Sequence, residues 1–304
     1  MRIGLSGGGA TVDRIIEQAR AAEADGFSSL WYPSTIGIGD PLVAAAVAGR
    51  ETSSIELGTA VLQTYPCHPL LQGSRIAAAA AVMGRPGLTI GVGPSHPQAM
   101  ELSFGIAYDR PGQHTEEYVT ILGDMLAGRD VYLDGQLLKA QTMGIAAPTA
   151  HPVELLVGAL GPRLLRIARE RAAGTVLWLA NARAVREHVL PRLGPDRRVV
   201  VGLPVAVHDD VDAARRKADR IHMLSSNLPN YRRVLEAGGA SSAGDVAIVG
   251  DEASVADQIR ELFAAGASDV WAAVFTVGDR EASRARTRAL LAGLAASNEV
   301  VAVA

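Results

Sequence analysis

The chain has 304 residues, 48% hydrophobic and 20% charged, with a formal net charge of -3 and a pI near 6.2. That is the make-up of a soluble globular protein, long enough for one large α/β barrel or two modest domains. The charge balance, with Lys and Arg spread through helical segments, gives no electrostatic footprint for nucleic acid, and no apolar run approaches the ~20 residues that span a bilayer. Cys67 is the only cysteine, which excludes an intrachain disulfide and a thiolate metal cluster and fits a reducing cytoplasm. Met1 to Ser6 is strand-like and lacks the apolar core and small-residue cleavage site of a secretory leader, so the expected location is the cytoplasm.

In chain order, Arg2–Ser6 reads as a strand, followed by Gly7-Gly8-Gly9 and a helix from Val12 that ends at Asp25-Gly26. Ser28–Tyr32 is a second strand, Pro41–Arg50 a helix, Ile55–Gln63 a third strand, and Pro69–Met83 its helix. The Arg85-Pro86-Gly87 turn starts a fourth strand, Leu88–Val92, because Pro fixes φ and Gly accepts positive φ. A helix over Gly112–Leu126 follows. Val153–Val157, Thr175–Leu179, Val199–Val207 and Val270–Thr276 supply further strands. Between them lie helices over Arg163–Ala172, Ala182–Leu190, Val211–Ala237 and Val255–Ala265. The count is about eight strand–helix units in one domain over residues 1–304, the arithmetic of a (β/α)8 TIM barrel. Residues 128–150 and 225–244 break the rhythm and are expected to be insertions on the C-terminal face of the strands, as lids, substrate loops or plain surface.

Barrel chemistry sits at the C-terminal strand ends, so those segments are where candidate residues are sought. Strand four runs into Gly93-Pro94-Ser95-His96, whose glycine lets a flat ligand or a phosphate approach the backbone, although the same residues also make a plain strand-to-loop turn. Strand five runs into Gly158-Ala159-Leu160-Gly161-Pro162-Arg163, which places free N–H groups at a helix N-terminus. Such a terminus binds phosphate and Arg163 adds charge, yet a Gly-x-x-Gly-Pro turn also simply starts helices. Beyond strand three, Gln63 and Tyr65 are placed for a ligand or for the rim, and His68 is expected to be a helix-opening residue. Arg110 and Glu117 are expected to form an ion pair that clamps a loop to the fourth helix, and His114 to be solvated. No histidine pair stands at metal-ligand spacing with a carboxylate, and there is no Gly-x-Ser-x-Gly elbow.

Taken in order, Ala21–Trp31, Leu57-Gly58-Thr59-Ala60-Val61, Gly84-Arg85 through Gly93, Arg110-Pro111 with Glu117, Val157–Pro162, Ile248-Val249-Gly250 and Ala265–Val270 resemble the luciferase-like monooxygenase superfamily. They resemble in particular its branch of oxidoreductases dependent on the deazaflavin coenzyme F420, over nearly the whole chain. The resemblance implies a barrel holding the tricyclic ring at the strand ends, with a non-proline cis peptide in strand three at Ala60-Val61. It implies a phosphate loop at Ala159, Leu160, Gly161 and Pro162, and a strand-four end, Gly93 to His96, that flanks cofactor and substrate. Sugar-phosphate and alcohol dehydrogenases of the family carry an Asp-His pair after strand two, where this chain has Ser34 and Thr35. That departure favours a reductase delivering hydride to an activated C=C, C=N or C=O in a small organic substrate. His96 is the first expected proton donor and Tyr65 the reserve, while Ser34, Thr35 and Gln63 are expected in the substrate pocket. The competing readings are an FMN-dependent monooxygenase and a non-catalytic flavin-binding protein; a Schiff-base aldolase is disfavoured because Lys139 and Lys217 lie away from strand ends. A homodimer is expected by analogy; the alanine-rich faces at 44–48 and 77–81 suit it or plain core packing.

Overall fold

The computed structural model describes residues 1–34, 39–144 and 148–297. Its strands are β1 (Ile3–Ser6), β2 (Ser29–Tyr32), β3 (Glu56–Gln63), β4 (Leu88–Gly93), β5 (Tyr132–Asp134), β6 (Lys139–Gln141), β7 (Val153–Val157), β8 (Gly174–Trp178), β9 (Arg198–Val207), β10 (Ile248–Gly250) and β11 (Asp269–Val274). The ring runs β9, β11, β1, β2, β3, β4, β7, β8 with every pair parallel, and β8 pairs back onto β9 to close it. This is the expected TIM barrel. β9 is a near-continuous valine-rich run, as a strand buried on both faces must be, and it overshoots the ring. The short β10, which the periodicity missed, pairs with that overhang through Ile248–Gly250 beside Val205–Val207.

The helices are α1 (Val12–Ala24), α2 (Pro41–Arg50), α3 (Pro69–Met83), α4 (Pro111–Leu126), α5 (Pro162–Arg171), α6 (Ala182–Ala184), α7 (Leu190–Leu193), α8 (Val211–Ser226), α9 (Pro229–Ala237), α10 (Ala243–Val246), α11 (Glu252–Ala264) and α12 (Arg280–Ala296). Proline opens α2, α3, α4, α5 and α9, where a missing N–H costs nothing. His68 caps α3 by accepting from Leu70 N–H at 3.3 Å, the helix-opening role expected of it. Ala44, Ala45, Ala48, Ala79 and Ala80 are buried in the core, where small side chains let α2 and α3 pack closely within one chain.

The single helix expected over 211–237 is two, because Asn227 ends α8 and Pro229 starts α9. Residues 225–244 are therefore largely helical, and they follow the C-terminal end of β9, so they lie over the expected face. Residues 128–150 differ. They link the end of α4 to the start of β7, which roots them at the opposite end of the barrel, and the β5–β6 hairpin climbs back along α3 and α4. Its tip reaches the rim, where Lys139 O accepts from His68 Nε2 at 3.1 Å.

Inward positions alternate along each strand. At the N-terminal end they form a charged floor: Arg198 bonds Asp269 at 2.7 Å and Glu56 at 2.9 Å and also pairs with Glu154, while Arg2 bonds Asp269 at 2.7 Å. Above it sit Trp31, Leu156, Val176, Val200 and Trp271. The indoles fit because neighbouring strands offer glycine: a Cβ on Gly58 would lie 2.3 Å from Trp31, and one on Gly202 2.1 Å from Trp271.

Candidate active site

Above the tryptophan layer the interior residues become small. Ala60, Val61 and Ala273 are only partly buried there, with Trp178 beside them. The Ala60-Val61 peptide is cis, at the position expected, and the β3–β4 register shifts between Thr59 and Leu62. Both Ala60 and Val61 pack against the interior tryptophan layer. Thr59 repairs the interrupted ladder, since its hydroxyl donates to Gly91 O at 2.9 Å and accepts from Gly91 N–H at 3.0 Å. The Val61 methyls occupy space that only glycine leaves free: a Cβ on Gly93 would lie 3.0 Å from them and one on Gly158 3.2 Å. The result is a shallow floor of Ala60, Val61, Gly93 and Gly158 that a planar ring can cover.

The loop after β4 brings Ser95 and His96 to this floor. Ser95 has φ 65, its hydroxyl accepts from Gln63 Nε2 at 3.3 Å, and its carbonyl accepts from Tyr108 Oη at 3.1 Å. His96 is half-buried, and its ring lies 5.5 Å from that of Tyr231 on α9. Burial pushes the His96 imidazole below its usual range. His222 on α8 meets Trp178 edge-on at 5.2 Å, and burial lowers its pKa in the same way.

The Tyr65 hydroxyl donates to Asp109 O, and burial, with Tyr108 and Asp109 adding to it, pushes the phenol well above its usual range. That bond ties the loop after β3 to the segment before α4. His114 is corrected: it is buried rather than solvated and stacks on Tyr65 at 3.9 Å, with Tyr108 at 5.1 Å from Tyr65. This stack ties the β3 and β4 loops to α4. The expected Arg110–Glu117 ion pair does not form. Arg110 bonds Asp109 at 3.0 Å and Gln136 at 3.2 Å, while Glu117 accepts from Gln136, Leu137 and Leu138 N–H and so caps the hairpin tip.

The turn from β7 into α5 presents a helix N-terminus with no side-chain cap: Gly161 has no side chain to offer and Pro162 no N–H. The Leu160 carbonyl is turned away, accepting from His188 Nε2 at 2.8 Å, and Ala159 is buried beneath. Arg163 is the exception among the residues expected here. It runs along α4, past Gly112, to Glu116 at 3.4 Å, where Arg166 also approaches at 3.9 Å. The cation over the turn is instead Arg233 of α9, which the sequence reading missed: a Cβ on Gly161 would lie 3.1 Å from its Nη1. Ser34 lies half-buried just beyond β2, and Thr35 falls outside the described residues. Trp178, His222 and Tyr231 were also missed; only Trp178, at a strand end, carried a local signal.

The luciferase-like monooxygenase family matches residues 2–297. The chain belongs to that family. A 5,10-methylenetetrahydromethanopterin reductase of Methanolobus tindarius is 29% identical over 164 residues, 54% of this chain and 49% of that protein. The chain thus matches about half the length of this curated relative. Among solved structures, the coenzyme F420-dependent tetrahydromethanopterin reductase of Methanopyrus kandleri superposes with a TM-score of 0.74 at 20% identity, over 95% of this chain and 96% of that one. The oxygenating constituent of 3,6-diketocamphane monooxygenase of Pseudomonas putida, in complex with FMN, gives 0.72 at 17% identity over 100% of both chains. Both structures share the fold. No three His, Cys, Asp or Glu side chains among the described residues are grouped to hold a metal, and no helix among them is long and apolar enough to cross a membrane.

Proposed function

We propose that this chain is a coenzyme F420-dependent oxidoreductase that moves a hydride between the deazaflavin C5 and a small organic substrate with an activated C=C, C=N or C=O. The observation that carries this reading is the floor of Ala60, Val61, Gly93 and Gly158, one turn from the uncapped N-terminus of α5. A planar ring and a phosphate on one short tether fit that pairing. The likeness to an F420-dependent hydroxymycolic acid dehydrogenase of Mycobacterium tuberculosis, 28% identical over 186 residues, supports the deazaflavin over FMN. When bound, the deazaflavin supplies the hydride.

The chain supplies position and dryness. Ala60 and Val61 would back the ring, Gly93 and Ser95 would flank it, and the turn of Gly158, Ala159, Leu160, Gly161 and Pro162 would receive the phosphate on its remaining backbone N–H groups, Pro162 having none and the Gly158 N–H being given to Val92 O. Trp178 stands beside Ala60 and Val61, His222 meets Trp178 edge-on, and Tyr231 meets His96. His96, half-buried between floor and insertion, holds or passes the proton that accompanies hydride transfer. Ser34 and Gln63 border the substrate, and the absence of an Asp-His pair after β2 fits reduction better than alcohol oxidation.

The test is a pair of fluorescence titrations, with coenzyme F420 and with FMN, followed by a screen of electron acceptors with the reduced deazaflavin. Micromolar or tighter binding of F420 with turnover of one acceptor class is expected. Preference for FMN with oxygen consumption would replace this reading with the monooxygenase, and tight binding without turnover would leave a cofactor-binding protein.

A further inference from the structure

We infer that Arg233, on the helical insertion, is the cation that holds the cofactor's phosphate against the Gly158–Pro162 turn; the inference rests on the cofactor site proposed above. Gly161 has φ -110, a conformation any residue adopts, so a glycine there is not required by the backbone. What it gives is room. A Cβ at that position would sit 3.1 Å from Arg233 Nη1, so the guanidinium occupies space that a side chain on the turn would claim.

The neighbouring cations are committed elsewhere. Arg163 and Arg166 both lean on Glu116, Arg183 pairs with Glu187 at 2.9 Å, and Arg232 donates to Asn227 Oδ1 at 3.0 Å. Arg233 has no hydrogen bond or ion pair among the described residues. Its donors stand solvent-exposed beside the positive end of α5, open to an anion that approaches the turn. A phosphate satisfies both, taking the guanidinium fork on one side and backbone N–H groups on the other.

The same helix places Tyr231 against His96. α9 thus meets the ring side of the site with one residue and the phosphate side with another, two positions on. Arg163, the more obvious arginine by sequence, has no part in this.

The experiment compares wild type, Arg233→Ala, Arg233→Lys and Arg163→Ala in fluorescence titrations with four probes: coenzyme F420, its phosphate-free deazaflavin fragment, FMN and riboflavin. Thermal melting and circular dichroism confirm that each variant is folded. Arg233→Ala is expected to weaken F420 binding about tenfold or more, as loss of a charge-assisted contact does, with the phosphate-free fragment within about twofold of wild type. Arg233→Lys should recover part of the loss, and Arg163→Ala should bind F420 like wild type. Unchanged F420 affinity in Arg233→Ala, or an equal loss for the phosphate-free fragment, overturns the assignment. If wild type takes FMN and not F420, the deazaflavin reading fails, and Arg233 is then decided by whether Arg233→Ala abolishes the preference for FMN over riboflavin. Binding of none of the four overturns both.

Discussion

The two ends of this barrel spend their polar groups in opposite ways. At the N-terminal end charges are saturated: Arg198 is shared among Glu56, Glu154 and Asp269, and Arg85 donates to the carbonyls of Gly49, Thr52, Ile55 and Pro86. Glu23, beside them, accepts N–H bonds from Ser53, Ser54 and Ile55. At the C-terminal end His96 is half-buried with its pKa pushed down by burial, α5 is uncapped and Arg233 is unpaired among the described residues. Groups that have satisfied one another hold the fold, and groups that have not are free to meet a ligand.

The sharpest way to break that contrast is Arg198→Met. It removes the guanidinium shared by Glu56, Glu154 and Asp269 and leaves Arg2 as the remaining cation on Asp269, whose side chain is 3% exposed; it is expected to cost about 3–5 kcal/mol in urea denaturation, with cofactor affinity per folded molecule unchanged. Next is Glu23. Burial alone would raise its carboxyl, but N–H bonds from Ile55, Ser54 and Ser53 outweigh that and bring it from 4.5 to about 2. A depressed carboxyl stabilises the fold above its unfolded value, and with solvent screening of this partly exposed group about 1–2 kcal/mol of stability should be lost as pH falls from 4.5 towards 2. Glu23→Gln should flatten that part of the stability-against-pH curve; an unchanged curve would remove Glu23 from the account.

At the other end, His96→Gln is expected to lower kcat by about a hundredfold while leaving F420 affinity intact. Because burial lowers the His96 pKa, its protonated form is gained only below the usual imidazole range. The wild-type rate should therefore rise as pH falls below about 6.5, and the variant should lose that rise. The smallest effect belongs to Tyr65→Phe. A strut bonded to a backbone carbonyl predicts turnover within about twofold of wild type and a loss of about 1 kcal/mol in stability.

The fold was legible because its signals are local. Apolar runs bounded by Gly and Pro marked every strand of the ring, and the glycines at 93, 158 and 161 marked where the floor and the turn lie. Where partners come from distant segments, the sequence was silent or misleading. Tyr65 faces Asp109 and His114 only after two loops and α4 come together, so its hydroxyl looked available. Arg163 adjoins the Gly158–Pro162 turn in sequence but its side chain leaves it in space, whereas Arg233 arrives from an insertion whose packing no periodicity reveals. β10 was missed because three residues show no alternation without the overhang of β9 beside them.

The most direct test of the central claim is a crystal structure of the protein with coenzyme F420. The account predicts the deazaflavin ring against Ala60 and Val61, with the phosphate at the Gly158–Pro162 turn. A ring seated away from that floor, or a phosphate that leaves the turn empty, would contradict it.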